Sequence, residues 1–265
     1  MPSENLFKRA LRRGPVPVGT WLMSGAPSTA EALGHCGFDF LVLDMEHVPI
    51  GVPDAAHLLR AIAGTPAQAV VRLEWNDRVL IKKMLDAGAQ SLMVPFVQDA
   101  DEAAQAVGAC KYPPLGTRGV AAVHRASRYG RDADYLRSAN DEVCVILQLE
   151  TREAIGRMRE IAAVPGVDAL FVGPGDLAAD MGEIGNIAAP LVQDALRDAA
   201  AAARRCGKPV GIVGPNPQMV RQFREWGYGF VAIASDLGMM TARAGEMLAA
   251  LAGEPAAPAP AGAAH

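Results

Sequence analysis

The chain has 265 residues, 51% hydrophobic, 20% charged and 5% aromatic, with a net charge of −4 and a pI near 5.8. This is enough chain for one large α/β core, and the acidic balance, without any basic stripe carrying interleaved aromatics, argues against a nucleic-acid partner. No apolar run reaches the roughly 18 residues of a membrane span.

The N-terminal segment MPSENLFKRALRRG sets Leu6, Phe7 and Leu11 against Lys8, Arg9, Arg12 and Arg13. It lacks the apolar stretch of a secretory signal, and a short amphipathic helix is expected there. Beyond it, short β-branched or Leu-rich runs alternate with Ala-rich segments of helical period. Strands are expected over 16–22, 38–44, 68–73, 90–95, 142–149, 167–172, 209–213 and 229–233. Helices are expected over 28–36, 53–63, 78–87, 99–109, 151–163, 190–206, 216–226 and 236–251. The alternation argues for βα units and a parallel sheet. Eight such units favour a single closed (β/α)8 TIM barrel over residues 1–252. Several helices end in Gly or Pro just before the next strand (CGFDF, VPGVDAL, WGYGFVAI), where Gly suits the helix C-cap. Residues 111–140 break the rhythm as one long connection, and residues 253–265 read as an Ala/Pro-rich disordered tail. Cys36, Cys110, Cys144 and Cys206 are scattered without a C-x-x-C pair, which suits reduced thiols in a cytoplasmic protein.

In this architecture active sites form where strands hand over to helices. Polar residues interrupt the apolar runs at those points. Asp44, Glu46 and His47 follow the second strand, Arg72 ends the third, Gln148 and Glu150 end the fifth, and Gly173, Pro174, Gly175 and Asp176 follow the sixth. Trp21, at the end of the first strand, joins them as a substrate-binding position. Adjacent strands lie about 4.8 Å apart, so Glu150 and Asp176 can share one divalent cation and leave positions for water and an oxygen-rich substrate. Mg2+ or Mn2+ suits such a pair, and Co2+ is a further candidate. The alternative is that Glu150 and Asp176 only cap the following helices. The glycines of GPGD let main-chain N–H groups approach a carboxylate, or simply make a tight turn. Arg72 needs an anionic partner, either a substrate oxygen or Glu74 or Asp44. His47 has the titration range of a general base, with Asp44 to orient its ring; the alternative is a structural histidine. Glu46 either orients Arg72 or holds a water. Lys8, Lys82, Lys83, Lys111 and Lys208 all lie away from the expected strand tips, so no amine is offered for Schiff-base chemistry.

The blocks LVLDMEHVPIG, VVRLEWND, MVPFVQDADEA, KYPPLGTRGV, VILQLETREA and VDALFVGPGDLAADMG run in order over roughly residues 5–250. Together they resemble the HpcH/HpaI family of metal-dependent (class II) pyruvate aldolases. The resemblance implies a lyase that reversibly cleaves 4-hydroxy-2-oxo acids to pyruvate and an aldehyde. Its first-choice substrate is 4-hydroxy-2-oxoheptanedioate, giving succinic semialdehyde; the alternatives are 2-dehydro-3-deoxyglucarate, giving tartronate semialdehyde, and a CoA ester of the citramalyl or malyl type. Carried over by position, Glu150 and Asp176 bind the metal, and Arg72 stabilises the enolate. His47, paired with Asp44, handles the 4-hydroxyl proton. Gln148 and the GPGD backbone hold the 2-oxo acid. The resemblance also implies a hexamer whose last helix is exchanged between neighbours, with Asp86 entering the adjoining subunit's site. Two positions depart from the common pattern: Gly175 stands where many members have Ala or Ser, and Met45 where many have Gly. The loop HRASRYGR offers Arg125, Arg128 and Arg131 to a distal carboxylate, or to solvent.

Overall fold

The computed structural model describes residues 4–12 and 14–253. Arg13 and nearly all of the expected C-terminal tail lie outside the described residues. Eight parallel strands close into a barrel in sequential order. They are β1 (Val18–Leu22), β2 (Phe40–Asp44), β3 (Gln68–Arg72), β4 (Ser91–Val94), β5 (Cys144–Leu149), β6 (Ala169–Val172), β7 (Val210–Gly214) and β8 (Phe230–Ser235). The expected (β/α)8 barrel is what forms, with strand ends shifted by one or two residues from the sequence reading. The helices that cover it are α1 (Leu6–Ala10), α2 (Pro27–Gly34), α3 (Val52–Ile62), α4 (Arg78–Asp86), α5 (Ala100–Cys110), α6 (Tyr135–Glu142), α7 (Arg152–Gly156), α8 (Met158–Ala163), α9 (Pro174–Asp180), α10 (Pro190–Arg205), α11 (Pro217–Trp226) and α12 (Asp236–Ala252).

Two helical segments differ from expectation. The segment expected as one helix over 151–163 breaks at Arg157, whose ψ of 5° caps α7 and opens α8. Gly156, just before the break, weakens the helix there. The long connection 111–140 contains the start of α6, whose only buried residue is Ala139, so it carries too thin an apolar stripe to be read as a helix.

The barrel interior is an aromatic column. The α1 residue Phe7, 2% exposed, packs on Phe40 at 5.0 Å and Phe230 at 5.6 Å; Phe230 meets Phe171 at 5.9 Å, and Phe171 meets Trp21 at 6.0 Å. Glycines make room for it: a Cβ on Gly19 would lie 2.5 Å from the Phe40 ring, and one on Gly211 would lie 2.2 Å from Phe230. The N-terminal helix therefore closes the end of the barrel where strands begin. Asn5 caps it by accepting from the Lys8 N–H at 2.9 Å and anchors it by donating to the Gln90 and Glu142 carbonyls at 3.0 and 2.9 Å. Truncating a buried Phe of this kind costs about 3–5 kcal/mol. Phe7→Ala is expected to lower unfolding free energy by that order in denaturant titration while leaving kcat of the folded protein unchanged. A loss below about 1 kcal/mol would mean that the plug contributes nothing to closure.

Candidate active site

The register of the barrel brings the functional side chains together. Asp44, the last residue of β2, pairs with Arg72, the last residue of β3. Arg72 donates through Nε to Asp44 Oδ1 at 2.9 Å and through Nη2 to Oδ2 at 2.7 Å. Both side chains are buried, Arg72 at 1% and Asp44 at 0% exposure, and a bidentate pair in that setting is strong and orientationally fixed. The guanidinium lies 4.3 Å above the Trp21 ring, at the top of the aromatic column. Its remaining nitrogen, Nη1, lies 2.9 Å from Glu46 Oε2, an ionic contact outside hydrogen-bond alignment. Glu46 thus takes the first of its two expected roles, on Arg72.

This arrangement corrects the expected pairing of Asp44 with the His47 ring. Asp44 gives both oxygens to Arg72, and Oδ1 also accepts the main-chain N–H groups of Glu46 at 3.0 Å and His47 at 3.4 Å. It shapes the His47 backbone and fixes the guanidinium, and no described hydrogen bond joins it to the imidazole. The side chain of His47 is exposed at the barrel mouth, close enough to Glu46 to favour its ionised form.

On the facing side, Glu150 directly follows β5 and is 1% exposed. Gln148 Nε2 donates to its Oε1 at 2.5 Å, and the Phe96 N–H donates to its Oε2 at 3.0 Å. Gly173, just beyond β6, passes so close that a Cβ there would meet Glu150 Oε1 at 2.4 Å. Asp176 sits in the first turn of α9 and makes no side-chain cap; Gly173 occupies the N-cap position. The cap of α7 is Thr151, which accepts the Ala154 N–H at 3.1 Å. The capping alternatives for both carboxylates therefore fail. Pro174 is buried and Gly175 half-buried in the same turn, whose leading N–H groups no carbonyl of the helix can satisfy.

The electrostatics of this cluster call for a cation. Burial pushes the Glu150 carboxyl up to about 8, reinforced by Glu46 and Asp176 against the opposing influence of Arg72 and the Phe96 N–H. Burial raises Glu46 as well, with Arg72 and His47 opposing it. The Gln148 Oε1 atom is buried without a partner. Among the described residues no three His, Cys, Asp or Glu side chains converge on one ion position. Glu150 and Asp176 offer oxygen donors of the kind a hard divalent ion takes, and such an ion would leave its other positions to water and substrate.

Three features lie outside this mouth. Lys111 is buried with its ammonium on the Asn140 and Val143 carbonyls at 2.5 and 3.2 Å, beside the start of β5, and desolvation followed by the nearby Lys8 lowers its pKa. It is a desolvated lysine at the wrong end for substrate. Asp86 ends α4, which runs back from the strand tips. There it accepts Arg118 Nη2 at 2.7 Å and lies 3.8 Å from His124 Nε2. Arg118 also donates to the Tyr135 hydroxyl at 3.1 Å and lies 4.3 Å over the Tyr112 ring. Arg125 donates to the Ala87 carbonyl at 3.0 Å, close to the start of β4. Neither Asp86 nor Arg125 reaches the strand-tip site of its own chain. The main-chain donor of Phe96 is not legible in the sequence, since a backbone N–H carries no residue signature.

A guanidinium fixed at one side of a barrel mouth, with the buried Glu150 and the exposed Asp176 at the other, suits an enzyme that handles an oxygen-rich anion. Residues 18–242 match the HpcH/HpaI aldolase/citrate lyase family, and the chain belongs to that family. It is 55% identical over 246 residues to a 2-dehydro-3,6-dideoxy-6-sulfogluconate aldolase of Pseudomonas putida, covering 93% of this chain and 96% of that protein. It is 49% identical over 248 residues to a 4-hydroxy-2-oxo-heptane-1,7-dioate aldolase of Shigella sonnei, covering 93% and 94%. A solved HpcH/HpaI family protein from Burkholderia cenocepacia superposes with a TM-score of 0.90 at 42% identity, covering 94% of this chain and 99% of that one. The chain is accordingly a carbon–carbon lyase of the aldolase type.

Proposed function

We propose that this protein cleaves 4-hydroxy-2-oxo acids carrying a second acidic group at the far end, releasing pyruvate and an acidic aldehyde. The observation that carries the reading is the buried Asp44–Arg72–Trp21 assembly facing Glu150 and Asp176. A divalent cation such as Mg2+ or Mn2+ at Glu150 and Asp176 would supply the missing positive charge and draw electron density from a 2-oxo group. The chain's own residues supply the rest. Breaking C3–C4 leaves the electron pair on C3, delocalised onto the keto oxygen, and Arg72 is held where that negative charge develops. The 4-hydroxyl proton leaves as the aldehyde forms, and the imidazole of His47, at the open mouth, takes it. A proton returned to C3 completes pyruvate. Gln148 and the Gly173–Pro174–Gly175 turn border the carboxylate end of the substrate.

The substrate class is supported by the names of the two relatives, which denote a dioate and a sulfo acid. 4-Hydroxy-2-oxoheptanedioate remains the first choice, with the sulfo analogue and 2-dehydro-3-deoxyglucarate as rivals. A homo-oligomer, a hexamer by family expectation, is part of the proposal. The support is the exposure of Met240, Met247, Leu248 and Leu251 on α12 and the position of Asp86 and Arg125 away from their own site. One experiment tests substrate and cation together. Pyruvate is condensed with succinic semialdehyde, tartronate semialdehyde, sulfolactaldehyde and neutral aldehydes, before and after chelation and after Mn2+ is restored. Acidic aldehydes should win, and chelation should abolish turnover reversibly. Equal rates for neutral and acidic aldehydes would remove the distal acid from the proposal, and full turnover without metal would remove the cation.

A further inference from the structure

Phe96 is an aromatic residue with φ of +54°, in the left-handed region that large L side chains avoid. Such a conformation is strained and persists only where its surroundings over-determine it. Here they do. The Phe96 N–H donates to Glu150 Oε2 at 3.0 Å, the Val97 N–H donates to the Gln148 carbonyl at 3.1 Å, and Thr151 Oγ1 donates to Gln98 Oε1 at 2.7 Å. Three consecutive residues after β4 are thereby stitched to three residues at the tip of β5. The Phe96 ring is 39% exposed and stacks on Trp75, 56% exposed, with centroids 6.1 Å apart and planes inclined by 26°. Trp75 follows the tip of β3 by three residues. Two large aromatics left in solvent at the barrel mouth bury little area from one another, so core packing does not explain them.

We propose that the Trp75–Phe96 stack is a positioning device for Glu150: Trp75 holds the Phe96 ring so that its left-handed backbone keeps the N–H aimed at Oε2. With Gln148 on Oε1 and Phe96 on Oε2, each carboxylate oxygen has one donor fixed on it and one lone pair left for a cation. The carboxylate cannot rotate about its terminal torsion without losing a hydrogen bond. Partners that orient a ligating group in this way are worth about 10–100-fold in metal affinity. The inference rests on the reading of Glu150 as a metal ligand, and its test separates the two.

The test is Mn2+ titration of the metal-free full-length protein, following free aqueous Mn2+ by electron paramagnetic resonance, with thermal unfolding and solution mass measured on the same samples. Trp75→Ala is expected to weaken Mn2+ binding about tenfold with the unfolding midpoint and oligomeric mass unchanged. Trp75→Phe, which keeps a ring for the stack, should restore affinity to near that of the parent protein. In the Trp75→Ala background, Phe96→Gly should recover part of the loss, because Gly takes positive φ without a clamp and retains the N–H. Mn2+ affinity within twofold of the parent for Trp75→Ala would overturn the positioning role, provided Glu150→Gln abolishes binding. If Glu150→Gln binds Mn2+ normally, the metal-ligand reading itself fails. Loss of affinity accompanied by a fall in oligomeric mass would assign the stack to a subunit contact and also overturn the proposal.

Discussion

Arg72→Lys is expected to lower kcat for aldol cleavage by about 10²–10³, with a smaller loss of stability than Arg72→Ala. Lysine keeps a positive charge near Asp44 but cannot reproduce the two parallel bonds at 2.9 and 2.7 Å, nor the planar stack 4.3 Å over Trp21. Alanine leaves Asp44, wholly buried, without its counter-ion. Removing one partner of such a buried pair costs about 3–5 kcal/mol. The same geometry predicts how Asp44 acts. Asp44→Asn should reduce kcat through Arg72, so its effect should largely vanish in the Arg72→Lys background and persist in the His47→Asn background. Double-mutant cycles on kcat and on the unfolding midpoint read this directly. Coupling of Asp44 to His47 in place of Arg72 would restore the pairing that the strand register argues against.

The contrast between Asp44 and Arg72 shows what is legible before the fold. That both belong to the site follows from local pattern, because each is a charged residue closing an apolar strand run, and strand tips are where this architecture places chemistry. Their mutual pairing depends on the β2–β3 register, a non-local quantity, so sequence alone leaves Arg72 divided between substrate, Glu74 and Asp44. Glu150 and Asp176 are legible for the same local reason, and the structure removes the rival capping roles by giving those caps to Thr151 and Gly173. The Arg125 loop escapes sequence reasoning because a polar connection of about thirty residues carries no signal for which end of the barrel it packs against. Its anchor is a main-chain carbonyl, Ala87, which no side-chain pattern predicts. Phe96 escapes it for a related reason, as its contribution is a backbone N–H in an unusual conformation.

Glu150→Gln is expected to raise the stability of the metal-free protein at alkaline pH while removing cation binding and activity. Glu150 is held at about 8 against an ordinary value of 4.5, by burial first and then by Glu46 and Asp176. The folded-state value lies above the unfolded one, so between about pH 4.5 and 8 the native state binds more protons. The contribution of Glu150 is therefore full below that window, falls as pH rises through it, and is flat above. Glutamine does not titrate, so the advantage of the variant should open across the window and then level off. The site can accommodate the change. Gln148 Oε1 is buried without a partner, and turning the Gln148 amide lets it accept from the substituted side chain while the Phe96 N–H keeps an oxygen to donate to. The measurement is the unfolding midpoint of chelator-treated parent and variant from about pH 4 to 9, a range that spans the window. A constant difference across that range would show that burial and the neighbouring Glu46 and Asp176 do not hold the Glu150 carboxyl up. Saturating Mn2+ should reverse the order, since a ligand present at about 100 times its Kd stabilises the folded state by about 2.7 kcal/mol and the variant has lost the carboxylate that binds it. A carboxylate that destabilises the empty barrel and stabilises the loaded one is retained for what it binds, and the buried position of Glu150 beside Glu46 and Asp176 is explicable on those terms and not by packing.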